Sequence, residues 1–188
     1  IKIINKAITP NNENYFLKET KEKNLNRLVK DDFNSKIINT KSLRFDQIEE
    51  IYKQRTHKII KMDIEGLEED ILINNVNLLT QLKNISLCIE LHQQLYKNPR
   101  KLKEAFIHLI DNRFRIKFVE FSMFCNKRVL SKYLTKNNFI SKNNNRYLIE
   151  DPKNQIINHL VYCDYRVIEK APFYSQKNIR SITLYKNI

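Results

Sequence analysis

The chain has 188 residues, 41% of them hydrophobic, and a formal net charge of +13. That length suffices for one domain with a true core, since a chain of this size buries about 70% of its unfolded surface. No apolar run approaches the roughly 20 residues a membrane span needs, and three separated cysteines without a C-x-x-C pair argue against a disulfide framework or a zinc cluster.

In chain order, residues 1–9 read as a strand ending at Pro10. Residues 11–36 are polar and read as a long loop with one helical turn at most. Ile37 to Leu43 is a short extended piece, and Arg44 to Gln54 a short helix with Phe45, Ile48 and Ile51 on one face. His57 to Asp63 is a strand that rises into Gly66, the one glycine of the chain. Leu67 to Leu82 has Leu67, Ile71, Leu72, Leu78, Leu79 and Leu82 at helical spacing. Glu68, Glu69 and Asp70 fill its first turn, where the helix dipole favours acids. Ile85 to Leu91 alternates as a strand does, with Ser86, Cys88, Glu90 and then His92 on the second face. Pro99 to Asp111 is a helix with Leu102, Phe106, Leu109 and Ile110 on one side, and Pro99 suits its first turn. Phe114 to Phe121 is a strand, residues 123–178 are aromatic and Asn-rich without a clear period, and Ile179 to Tyr185 is a final strand.

Strand and helix in alternation predict an α/β fold, a mostly parallel sheet covered by helices. Ligands of such sheets bind at the carboxyl ends of the strands. Asp63 and Glu90 fall at two such ends, on consecutive strands expected to lie side by side. Glu90 and His92 share a face about 6.5 Å apart along their strand, and His92 has a pKa suited to a general base. Glu65 and Glu68 read first as cap and dipole partners, and Lys61 as the ion-pair partner of a carboxylate across the sheet. The cysteines Cys88, Cys125 and Cys163 read as reduced thiols of a cytoplasmic protein. The chain opens on Ile1, and no secretory signal is visible.

The run Ile60-Lys61-Met62-Asp63-Ile64-Glu65-Gly66-Leu67-Glu68, followed by a helix and then Ile85 to His92, resembles the FkbM family of S-adenosylmethionine-dependent methyltransferases. The family hallmark is (I/L)-K-x-D-(V/I)-E-G-x-E, and every fixed position is filled. Ile3 to Thr9 is similar to the strand preceding the hallmark, and Asn39 to Asp46 to the segment leading into it. The resemblance covers roughly residues 1–122. It implies a class I methyltransferase (Rossmann-like) fold and methyl transfer from S-adenosylmethionine to a hydroxyl of a sugar, polyketide or similar small molecule. It implies Asn5, Ala7, Asp63, Glu65 and Gly66 at the cofactor, and Asp63, Glu90 and His92 at the chemistry. Whether a divalent metal assists is left open by the sequence, although Asp63 and Glu90 would suit a magnesium-like ion.

The resemblance also implies an incomplete fold. The family's glycine-containing cofactor turn, and the second strand ending in an acid, have no counterpart here, so the first two strands are expected to be missing. The expected organisation is 1–122 as the carboxyl-terminal part of the core, 123–178 as an insertion or cap, and 179–188 as the final strand. Such a fragment is expected to bind cofactor weakly or not at all. The rival reading is a non-catalytic module binding RNA or an anionic surface through scattered Lys and Arg with the Tyr and Phe of 123–188. The scatter of the lysines, as an AT-rich coding sequence would give, speaks against nucleic acid. The acceptor and the oligomeric state leave no mark in the sequence.

Overall fold

The computed structural model describes residues 7–9, 16–18, 27–29, 37–39, 42–48, 56–122, 139–143, 146–150, 156–157 and 179–187. The hallmark unit lies wholly inside them. Strand β6 (Lys58–Met62) leads through the glycine turn into helix α1 (Leu67–Gln81). Strand β7 (Ile85–Glu90), a 3-10 turn over Gln93–Leu95, helix α2 (Pro99–Asp111) and strand β8 (Arg115–Ser122) follow. These boundaries fall within about two residues of the periodicity reading.

Before this unit the described residues form five three-residue strands: β1 (Ala7–Thr9), β2 (Phe16–Lys18), β3 (Arg27–Val29), β4 (Ile37–Asn39) and β5 (Ser42–Arg44). The loop expected over 11–36 is corrected here, because β2 pairs antiparallel with both β3 and β4 in a three-stranded sheet. Its strands are too short for an alternating pattern to stand out from polar flanks. The piece expected over Ile37 to Leu43 is two strands, β4 in that sheet and β5 parallel to β1. A 3-10 turn over Phe45–Ile48 replaces the start of the expected helix, and Phe45 and Ile48 are buried as expected. Ile51 lies outside the described residues.

Among the described residues, the main sheet has six strands in the order β6-β7-β11-β8-β10-β9, with β9 (Phe139–Asn143), β10 (Arg146–Glu150) and β11 (Ile179–Lys186). Among its described strands only β6 and β7 are paired parallel; β11 runs antiparallel to both β7 and β8, and β10 antiparallel to β8 and β9. The expected mostly parallel sheet is therefore corrected to an α/β fold with a mostly antiparallel sheet. Strand–helix–strand spacing predicts only local pairings. β11 returns from far along the chain and inserts between the two strands that α2 connects. Part of the stretch expected as an insertion or cap, β9 and β10, extends the same sheet.

The alternation carries the physical reason. β6 and β7 bury every second residue, and Ile59 on the other face is 72% exposed. One packed face and one open face is the pattern of antiparallel sheets, whereas strands of a doubly covered parallel sheet are apolar throughout. On the packed side, Ile60, Met62, Leu87 and Ile89 join Ile71, Leu72 and Leu79 of α1 and Leu102, Phe106 and Leu109 of α2 in one core. The two helices pack against each other, and Ile8 and Leu43 of the small parallel sheet rest on that core.

Candidate functional site

Parallel pairing puts the carboxyl ends of β6 and β7 side by side, with Met62 opposite Ile89. Asp63 and Glu90 therefore emerge at one rim, and the chain leaving β7 brings His92 to the same place. Ligand atoms of Asp63, Glu90 and His92 all lie within 4.8 Å of one another. Asp63 is exposed, Glu90 half-buried and His92 buried.

Asp63 does not cap the helix. The cap position is Gly66, which carries no side-chain cap bond. The Asp63 carboxylate instead accepts from Lys61 Nζ at 3.2 Å, along its own strand rather than across the sheet as the sequence suggested. The Lys61 side chain is 72% exposed and that of Asp63 36%, so this surface pair contributes about 0–1 kcal/mol. The carboxylate remains available at the rim. Glu90 faces Arg180 Nη2 of β11 at 3.7 Å.

The turn between β6 and α1 is built on two left-handed residues, Glu65 at φ 52° and Gly66 at φ 99°. A side chain at Gly66 would also meet Leu95, whose Cβ would be 2.8 Å from an added Cβ. Gly66 is thus needed both for its backbone angle and for the close approach of the loop after β7. The turn directs the Ile64 and Gly66 N–H groups at the Glu68 carboxylate, to Oε1 at 2.8 Å and Oε2 at 2.9 Å. Glu68 is fully buried, and its Oε1 also lies 3.0 Å from His92 Nδ1. The second ring nitrogen, Nε2, lies 3.4 Å from Glu65 Oε2. The neighbouring Glu69, also buried, accepts from the Lys97 and Asn98 N–H groups at 2.7 and 2.6 Å. The His92 N–H donates to Tyr96 Oη at 3.0 Å, which folds the loop back on itself.

Consecutive acids of the first turn of α1 therefore hold the loop that carries His92, one at its start and one at its end. Sequence reading placed Glu68 with the dipole and missed this contact; the signal for it was the fixed spacing of Glu68 from Glu65 and Gly66. Arg180 and Glu120 also escaped it. Glu120 accepts from Ser181 Oγ at 3.0 Å. With Lys61, Cys88, Glu90, Ser181 and Thr183, Glu120 lines a groove of about 210 Å³ on the open face of the sheet. Only the fold brings β8 and β11 there. Of the other expected cofactor residues, Asn5 lies outside the described residues. Ala7 is paired with Ser42 in the small parallel sheet.

Two carboxylates and an imidazole this close can accept the proton of an alcohol, orient it, or share one oxygen-preferring divalent cation. Residues 4–167 match the family model described as the methyltransferase FkbM domain. The chain belongs to this family. No curated protein and no solved structure matches. Membership makes S-adenosylmethionine the implied methyl source. The rim suits it in the sign of its charge, because the cofactor's sulfonium is a cation and Asp63, Glu65 and Glu90 present carboxylates. Among the described residues, no helix of this FkbM-domain chain is long and apolar enough to cross a membrane.

Proposed function

We propose that this chain provides the acceptor side of an S-adenosylmethionine-dependent O-methyltransferase acting on a hydroxyl of a sugar, polyketide or similar small molecule. The supporting observation is the convergence of Asp63, Glu90 and His92 within 4.8 Å at the carboxyl ends of two parallel strands. When bound, S-adenosylmethionine supplies an electrophilic methyl group. Asp63 and Glu90 accept hydrogen bonds from the acceptor and align its hydroxyl oxygen, since alignment accounts for much of the rate of an in-line displacement. His92 Nε2 takes the hydroxyl proton as the carbon–oxygen bond forms and the carbon–sulfur bond breaks. The resulting imidazolium lies between the carboxylates of Glu65 and Glu68, which stabilise it through charge-assisted hydrogen bonds.

The test is methyl transfer from labelled S-adenosylmethionine by the complete native polypeptide containing this chain, against a panel of hydroxylated acceptors with and without a chelator. Asp63→Asn and His92→Gln are each expected to lower turnover by about 10²-fold or more, and Asp63→Asn to leave the melting temperature in place. Turnover equal to wild type in both variants would remove the reading. Loss of turnover in the chelator, restored by magnesium, would replace hydrogen bonding at Asp63 and Glu90 with metal-assisted alignment.

A second reading rests on the opposite end of the sheet. Arg113, Arg115, Tyr185 and Asn187 line a concavity of about 580 Å³ that would suit an anionic surface. The aromatic candidates that the sequence offers for that role are Phe124, Tyr133, Phe139, Tyr147, Tyr162, Tyr165, Phe173 and Tyr174. Of these, only Phe139 and Tyr147 lie in described strands. Failure to bind heparin at low salt would dismiss this reading.

A further inference from the structure

We infer that Glu68 is a positioning residue which fixes His92 as its Nδ1–H tautomer and so presents the Nε2 lone pair to the rim. The inference rests on the proposed role of His92 and specifies how that histidine is made ready. Glu68 has no freedom to turn away. Both its oxygens are occupied by backbone donors, Ile64 N–H on Oε1 and Gly66 N–H on Oε2, and the side chain is fully buried. An ionised carboxylate only accepts. A bare Nδ1 at 3.0 Å would set two lone pairs against each other in a site without water's screening. The proton of a neutral His92 therefore belongs on Nδ1.

Among the described residues, the carboxylate beside Nε2 is the weaker partner on each count. Glu65 Oε2 lies farther off, at 3.4 Å from Nε2, and its side chain is 23% exposed. It can rotate or be hydrated where Glu68 cannot. Among the described residues, the carboxylates facing His92 include Glu65 and Glu68 from the turn and α1, Asp63 from the end of β6 and Glu90 from β7. Nε2 is the nitrogen turned toward Glu65, the less buried of the two acids on the ring. This gives the spacing of Glu65, Gly66 and Glu68 a chemical purpose. Two left-handed residues aim two N–H groups at one acid, and that acid orients an imidazole on the next strand's loop. A second-sphere carboxylate of this kind sets both ring orientation and tautomer.

Long-range proton–nitrogen correlation spectra of the ¹⁵N-labelled full chain at neutral pH read the tautomer directly. The chain has four histidines, and His92→Gln assigns the signals by loss. Wild type is expected to show His92 with Nδ1 protonated and Nε2 bare. Glu68→Gln offers one acceptor and one donor where three N–H groups point, so the preference is expected to relax toward the Nε2–H form that free imidazole favours. Glu65→Gln is expected to leave the wild-type pattern intact. Nε2–H or doubly protonated His92 in wild type would overturn the inference, as would a tautomer switched by Glu65→Gln and not by Glu68→Gln. If Glu68→Gln fails to fold, the wild-type and Glu65→Gln spectra decide. A correct tautomer in a protein that transfers no methyl group would sink the functional proposal and leave the positioning role standing.

Discussion

The two ends of α1 solve one electrostatic problem with opposite charges. At the amino end Glu68 and Glu69 are buried, and backbone N–H groups satisfy them. At the carboxyl end Lys58 and Lys186 are buried, and their ammonium groups donate to the Lys83 and Thr80 carbonyls at 3.2 and 2.6 Å. Acids at the start and cations at the finish both follow the helix dipole. The ends differ in what lies beyond the cap. Glu68 passes its contact on to His92 and the rim, whereas the Lys186 ammonium lies over the Phe114 ring, 5.9 Å from its centre. The same capping physics is thus coupled to chemistry at one end and confined to structure at the other.

The largest expected break in that contrast comes from Gly66→Ala. The left-handed angle and the 2.8 Å approach to Leu95 together should cost about 3 kcal/mol. Urea unfolding should show it as a lowered midpoint with an unchanged slope. A variant as stable as wild type would mean that the loop after β7 does not press on the turn.

A smaller effect is expected from Glu69→Gln. One backbone donor of the Lys97 and Asn98 pair would then face an amide N–H₂, at a cost of about 1–2 kcal/mol. Amide hydrogen exchange should accelerate over residues 93–98 before it changes in α2. Uniform acceleration along the chain would show that Glu69 supports the whole fold and not this loop.

The smallest effect belongs to the structural end. Burial, followed by the charges of Arg113 and Lys83, holds the Lys186 ammonium below its ordinary 10.5. In the window between that lowered value and 10.5 the unfolded chain binds more protons than the folded one, so stability rises with pH. Lys186→Met removes that gain along with one hydrogen bond, for about 1 kcal/mol. Wild type should therefore gain on the variant as the solution is made alkaline through this window, in melting curves of the two proteins side by side. A constant difference would place the Lys186 charge in the open, not in the core.

The hallmark run could be read from the chain because its information is local. Apolar alternation over 58–62 and 85–90, the helical period over 67–81 and Pro99 at the head of α2 each state a backbone preference over a few neighbours. Such preferences also place Asp63, Glu90 and His92 at one end of two adjacent strands. The short strands of 16–18 and 27–29 escaped because three residues give no period. The sheet's direction escaped because β11 contacts β7 and β8 only after the chain has closed a long loop.

Local pattern in the chain is enough for the family, the β6–α1–β7–α2–β8 unit and the rim where its acids gather. The hallmark needs a left-handed glycine at one place, and these residues supply only one. Tertiary structure alone decided that β11 makes the sheet mostly antiparallel, that Arg180 stands against Glu90, and that Glu68 reaches His92. Each of these is a contact between groups far apart along the chain. No local preference encodes such a contact; it forms because a buried charge or an unpaired strand edge must find its partner once the core has closed.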